Sequence, residues 1–131
     1  MVNKANRLKV KRSQSGLGLF TQVDLKKGAR IIEYTGDRIT PAEADCRGGK
    51  YLFTLNKKTI IDGKNRSNLA RYINHSCRPN CYTEINSTET RVFVFARRAI
   101  KAGEELSYNY GKEYFNDLIK PNGCCCLKCQ N

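Results

Sequence analysis

Short runs in which apolar residues alternate with polar ones, or stand together for four or five positions, recur along the chain. RLKVK (7 to 11), GLFTQV (18 to 23), ARIIEYTG (29 to 36), YLFTL (51 to 55), TIID (59 to 62), CYTEI (81 to 85) and RVFVFA (91 to 96) each read as a strand, since a period of two sends alternate side chains to opposite faces. Gly, Asn, Asp and Ser interrupt them at short intervals, which predicts the small sheets of a mostly β, sandwich- or barrel-like fold. Helices are predicted to be brief. Thr40 and Glu43 flank Pro41 as a capping box for TPAEAD, Ser67 is the expected cap of SNLARYI, and KEYFNDLI (112 to 119) suggests a short helix before PNG breaks the chain. DLKKGARI (24 to 31) and AIKAGEEL (99 to 106) share an apolar-Lys-x-Gly-x-x-apolar pattern. Two turns with the same glycine chemistry explain that pattern more simply than a duplication does.

At 131 residues the chain fits one domain. Its start, MVNKANRLKVKRSQ, lacks the apolar stretch of a secretory leader, and no run is long enough to cross a bilayer, so a non-membrane protein of cytosolic or nuclear kind is expected. Lys plus Arg number 24 against 12 Asp plus Glu, a net charge of +12. Such a balance suits a polyanionic partner such as nucleic acid, or simply a solvated basic surface. Only KANRLKVKR is locally dense, with Lys4, Arg7, Lys9, Lys11 and Arg12 and no acid among them. Four of the seven cysteines fall at Cys124, Cys125, Cys126 and Cys129, and in a reducing compartment such clustering argues for metal.

Cys124, Cys126 and Cys129 offer three thiolates, whereas a tetrahedral zinc site needs four ligands. Spacing alone leaves the fourth open among Cys46, Cys77, Cys81, His75 and Cys125. His75, in RYINHSCRPNC (71 to 81), is the chain's one histidine. A His75–Cys77 nucleophile and base is not expected, because side chains two positions apart on a helix or strand do not readily meet. A lone histidine beside Tyr-Ile is more often a buried, hydrogen-bonded structural residue. SGLGLF (15 to 20) is a weak phosphate signal and reads as a tight turn whose backbone could lie close to a ligand. In EELSYNYG, Tyr108 and Tyr110 stand two apart, so on a strand both rings share a side.

SGLGLF, EYTGDRI, YLFTL, RYINHSCRPNC and GEELSYNYG occur in that order and are followed by a Cys-x-Cys tail. The chain thus resembles SET-domain protein lysine methyltransferases, most nearly the trithorax-like group, with a post-SET zinc tail; the likeness runs from about Leu8 to Cys129. It implies a SET-domain fold of small sheets with few short helices, in which NHSC threads beneath ELSYNY in a knot-like arrangement. It divides the chain into a basic extension (1 to 7), a SET domain (8 to 111) and a zinc-binding tail (112 to 131). The implied activity is S-adenosylmethionine-dependent methylation of lysine in a protein, with a histone tail the expected substrate. Ser15, Gly16, Leu17, Gly18, Tyr51, Asn74, His75 and Cys125 match cofactor-binding positions, and Tyr110, Tyr51 and Tyr108 match the catalytic tyrosine and the lysine channel. Cys77 then joins Cys124, Cys126 and Cys129 as the fourth zinc ligand. Tyrosine rather than phenylalanine at 108 implies mono- to dimethylation. The implied setting is nuclear or chromatin-associated in a eukaryote, otherwise cytoplasmic or delivered to a host cell, with nucleosomal DNA met by the basic surface. A substrate groove lined by Glu33, Asp37, Glu43 or Asp45 would offset the basic charge. The alternative is a catalytically inactive SET-like zinc module that binds nucleic acid or chromatin.

Overall fold

The computed structural model of the protein describes residues 7–14 and 16–110. Each of the seven runs read as strands forms one. β1 (Leu8–Ser13) and β2 (Gly16–Thr21) make an antiparallel hairpin with Val10 opposite Leu19. β3 (Arg30–Tyr34), β8 (Cys81–Ile85) and β9 (Val92–Ala96) form an antiparallel sheet ordered β3-β9-β8, while β4 (Asp37–Ile39), β5 (Leu52–Thr54) and β6 (Ile60–Asp62) form another, ordered β4-β6-β5. A fourth sheet joins β7 (Asn74–His75) to β10 (Ser107–Tyr108) in parallel. It brings the GEELSYNY segment alongside NHSC, as the expected threading requires.

The core lies between these sheets. Ile31 and Tyr34 of β3 and Val92, Val94 and Ala96 of β9 pack with Leu19, Ile73, Leu106 and Tyr108. Truncating one large member, as in Leu106→Ala, should cost about 2–5 kcal/mol. A smaller cluster of Ile39, Ala44, Leu52 and Ile60 sits under α1 (Pro41–Arg47). The helix starts where the sequence predicts: Glu43 N–H donates to Thr40 Oγ1 at 3.1 Å and Thr40 N–H to Glu43 Oε1 at 3.2 Å. A cap of this kind contributes about 1 kcal/mol.

Ser67 caps nothing. SNLARYI yields one 3₁₀ turn, Leu69–Tyr72, whose preceding residue is Asn68. That asparagine is buried, accepts from Thr35 N–H at 3.1 Å and donates to the Gly63 carbonyl at 3.0 Å. Its side chain is therefore committed to two loops, and the turn is held by tertiary contacts.

The shared Lys-x-Gly pattern proves to be one structural device used twice. Leu25 and Ile100 exchange backbone hydrogen bonds at 2.7 and 2.9 Å, so the two arches pair with each other. Gly28 N–H donates to Ala96 O at 2.8 Å and its counterpart Gly103 N–H to Thr21 O at 2.7 Å. Both glycines have positive φ, 84° and 95°, a conformation that L side chains rarely adopt. The arches are related by a local pseudo-twofold axis, which accounts for the repeated pattern.

Candidate functional site

Two segments distant in sequence make the site, and a buried asparagine joins them. Asn80, 5% exposed, donates from Nδ2 to the Glu105 carbonyl at 2.8 Å and accepts from Ser107 N–H at Oδ1 at 2.9 Å. Its own carbonyl takes Arg97 N–H at 2.8 Å. RPNC is thereby fastened to ELSYN, and in β7 and β10 Asn74 lies opposite Ser107 and His75 opposite Tyr108. Ser76 N–H closes the pairing on the Tyr108 carbonyl at 3.2 Å.

Tyr110 is tied to the other segment at two points. Its hydroxyl donates to the Ile73 carbonyl at 2.6 Å, and its backbone N–H donates to His75 Nδ1 at 3.2 Å. The ring meets His75 edge-on at 5.3 Å and leans on the buried Tyr108 ring at 5.2 Å. The expected shared side of the two tyrosines is thus observed, although Tyr110 lies just beyond the two-residue strand β10.

Because Nδ1 accepts, neutral His75 carries its proton on Nε2, an assignment drawn from the hydrogen-bond pattern. Burial lowers the imidazole pKa and so favours this neutral form. Nε2 lies 3.6 Å from Cys77 Sγ, correcting the expectation that the two side chains would not meet. β7 ends at His75 and the chain bends at Cys77 and Arg78, so strand alternation does not apply between positions 75 and 77. The contact is not a nucleophile-base pair: the imidazole offers the sulfur a donor, and burial makes it a poorer proton acceptor.

Asn74 Nδ2 lies 2.9 Å from the Leu17 carbonyl, 2.8 Å from Glu105 Oε2 and 3.1 Å from Ser13 Oγ. The β1–β2 hairpin is thus secured to the Asn74 and Glu105 segments through one amide. Gly18 lies close under the Glu105 carboxylate: a Cβ there would fall 2.3 Å from Oε2 and push that side-chain end off the Asn74 amide. Gly16 and Leu17 are exposed, and a Cβ on Gly16 would meet nothing within 4 Å. The start of β2 is thus exposed while Leu17 is held to Asn74; Ser15 lies outside the described residues.

Tyr51, just before β5, is fixed through its backbone. Its carbonyl accepts from Tyr34 Oη and Gly63 N–H, each at 2.8 Å. The Arg71 guanidinium covers its ring at 4.3 Å and the Tyr72 ring at 5.0 Å. Arg71 thus links Tyr51 to the segment whose next residue but one, Ile73, accepts from Tyr110.

Of the candidate fourth zinc ligands, Cys81 is excluded. It is buried, its thiol is pushed up to about 12 by desolvation, and it donates to Asn80 Oδ1 at 3.3 Å. Cys46 is exposed on α1, whereas Cys77 is exposed beside the site. Among the described residues no three metal-ligating side chains gather. Cys124, Cys125, Cys126 and Cys129 lie outside the described residues. Sequence reasoning missed Asn80, Glu105 and Arg71. Each acts through a long-range partner, although RPNC and GEEL themselves were noticed as motifs.

Residues 16–111 match the family model described as SET domain. The chain is 39% identical over 126 residues to Histone-lysine N-methyltransferase trr of Drosophila melanogaster, covering 88% of this chain and 5% of that protein. It is 42% identical over 113 residues to the human Histone-lysine N-methyltransferase, H3 lysine-36 specific, covering 76% of this chain and 4% of that protein. Among solved structures, ctPRC2 in an autoinhibited conformation bound to S-adenosylmethionine aligns with a TM-score of 0.77 at 33% identity, over 89% of this chain and 17% of that one. The chain belongs to the SET-domain family. It spans only a small part of the length of these relatives.

Proposed function

We propose that this chain is an S-adenosylmethionine-dependent protein-lysine N-methyltransferase acting on histone tails in chromatin. The observation that carries the reading is Tyr110, anchored on Ile73 and His75 and packed on Tyr108, in the same segment pair whose Asn74 holds Leu17. The relatives named above support it, being histone-lysine methyltransferases by name.

Held beside Asn74, S-adenosylmethionine would supply an electrophilic methyl group. Gly16, Leu17, Gly18, Asn74 and His75 would hold it, together with Ser15 and Cys125 by family resemblance. A lysine amine has a pKa near 10.4 in water and must lose its proton to attack. Tyr108 and Tyr110, with Tyr51 assigned beside them by family resemblance, would line a narrow channel whose desolvation disfavours the ammonium form. The hydroxyl of Tyr110, directed by the Ile73 carbonyl, helps align the amine.

Zinc belongs to the proposal through Cys77 with Cys124, Cys126 and Cys129 in a tail at 112–131. The support is Cys77's exposure beside the site and the Nε2–H of His75 at its sulfur, a donor of the kind that orients metal-bound ligands. Zinc there would be structural, closing the tail onto the SET domain.

The test is intact-mass analysis of core histones incubated with the zinc-loaded protein and S-adenosylmethionine, beside Tyr110→Phe. A methyl-sized shift reduced about 100-fold or more in rate by the variant is expected. Cofactor binding without any shift on histones or nucleosomes would overturn the histone assignment, and absence of cofactor binding would overturn the enzyme.

A further inference from the structure

The sheet β3-β9-β8 turns one face to the core, and its other face is aromatic. Residues directly opposite one another in neighbouring strands share a face, so Arg30, Phe95 and Tyr82 form one row and Glu33, Phe93 and Glu84 the next. Tyr82 stacks on Phe95 with centroids 5.5 Å apart and planes 19° from parallel. Phe93 carries the Arg30 guanidinium at 4.7 Å and that of Arg91 at 5.0 Å. Tyr82 is 40% exposed and both phenylalanines are half-buried. Core packing does not require these rings, because Val92, Val94 and Ala96 fill the inner side of the same strand. A solvent-facing sheet surface ordinarily alternates to polar residues, so three rings at this place call for a partner.

Charge selects the partner. At the Arg30 end of the sheet, Gly28 N–H binds the Ala96 carbonyl at 2.8 Å, so one lysine-bearing arch abuts the chain leaving β9. Lys26, Lys27, Arg97 and Lys101 are exposed on these two segments and their paired arch, and the ion pairs among the described residues leave all four out. Arg91 is matched by Glu33 at 2.7 Å and Arg98 by Glu104 at 2.9 Å. Cations alone would suit any polyanion, a duplex or an acidic protein included. Exposed stacked rings add a preference for unpaired bases, whose flat faces a duplex keeps covered.

We propose that the outer face of β3-β9-β8 binds single-stranded nucleic acid, with bases stacking at Tyr82 and Phe95 and phosphates held by Lys26, Lys27 and Arg97. The site is separate from methyl transfer. Tyr108 packs in the core on the opposite side of the sheet, so a bound strand leaves the Tyr110 site open. Its natural role would be to hold the domain beside exposed single strands while the tyrosine site acts on protein.

The test is fluorescence anisotropy of a labelled oligo(dT) of about 20 nucleotides, against a duplex of equal length, across a salt series. The native chain should bind the single strand more tightly than the duplex. Tyr82→Ala should weaken single-strand binding about tenfold without changing the salt slope, and Tyr82→Phe should restore it. Replacing both Lys27 and Arg97 with Ala should flatten the slope by about 1.4. Glu84→Lys, at an exposed position that leaves the strand intact, should tighten binding severalfold. Thermal unfolding verifies that Tyr82→Ala is folded. Duplex bound as tightly as single strand, Tyr82→Ala without effect, or Glu84→Lys without tightening would each overturn the proposal.

Discussion

Tyr110 gives its backbone N–H to Nδ1 of His75 at 3.2 Å, and this one bond determines what the chain's one histidine does. An imidazole whose Nδ1 is occupied and whose charged form is disfavoured by burial acts as a bracket for Tyr110. His75→Ala leaves the buried-side N–H without its acceptor and should cost about 1–3 kcal/mol. His75→Asn, whose Oδ1 can stand near the position of Nδ1, should recover most of that. Thermal unfolding and calorimetric titration with S-adenosylmethionine read both effects. Equal losses in the two variants would show that the acceptor is not what matters.

Asn80 makes a stronger prediction, because it bonds to the second segment from both ends of its amide. Asn80→Ala strands the Ser107 N–H and the Glu105 carbonyl and should destabilise the chain by about 3 kcal/mol in urea unfolding. Asn80→Asp keeps the acceptor but loses the donor and buries a charge, so it should not rescue. A change below about 0.5 kcal/mol for Asn80→Ala would mean that β7 and β10 hold together without the clamp.

These two residues also mark how far the sequence could be read. The longer strands were legible because each offers several periods of alternation, and the Thr40–Glu43 cap because its chemistry is local. β7 and β10 have two residues each, too few for any period, and they pair in parallel across a long separation. Asn68 displaced Ser67 at the 3₁₀ turn because its amide serves Thr35 and Gly63, contacts no local rule reveals. The His75–Cys77 contact was misjudged for a related reason: the chain bends at Cys77, just past β7, and a rule for regular strands fails there. The site tyrosines were singled out by resemblance, but Asn80 and Glu105 needed the fold.

Gly18 offers a separation of close approach from chemistry. A methyl group at 18 collides with Glu105 Oε2, and that oxygen is 2.8 Å from the Asn74 amide. Gly18→Ala should therefore turn the Glu105 carboxylate off Asn74 at a cost of about 1 kcal/mol or less and weaken S-adenosylmethionine binding through Asn74. Adding Glu105→Ala should relieve the clash and return part of the stability but not the binding. Double-mutant coupling near zero would show that the two positions do not press on each other.

Glu104 predicts a pH effect of definite sign. Its carboxylate accepts from Arg98 and, at 2.7 Å, from Lys101 N–H, and these bonds hold its pKa below the ordinary carboxylate value of 4.5. A depressed folded-state pKa means that the stabilisation is present above the unfolded value and is lost as pH falls through the folded one. Partial exposure limits it to a few tenths to about 1 kcal/mol. Glu104→Gln should lower stability at pH 7 by that amount, and the gap from the native chain should close below about pH 4. A gap that persists into acid would assign the effect to shape instead of charge.

If the chain transfers methyl groups as proposed, Tyr108 should bear on how many are added. Its ring is buried and lies 5.2 Å from that of Tyr110, and on the proposed assignment its hydroxyl would border the path of a methylated amine. A hydroxyl in so confined a place crowds an added methyl or retains a water where that methyl would go. Removing the oxygen leaves the ring packing in place, so the fold should tolerate Tyr108→Phe with a loss of about 1 kcal/mol. The product should move from mono- and dimethyl-lysine toward trimethyl-lysine, as read by mass spectrometry of a peptide driven to completion. Cofactor affinity should stay unchanged, which separates a channel effect from damage to the Asn74 wall. An unaltered product distribution in a folded, cofactor-binding Tyr108→Phe would remove the hydroxyl from any account of product choice.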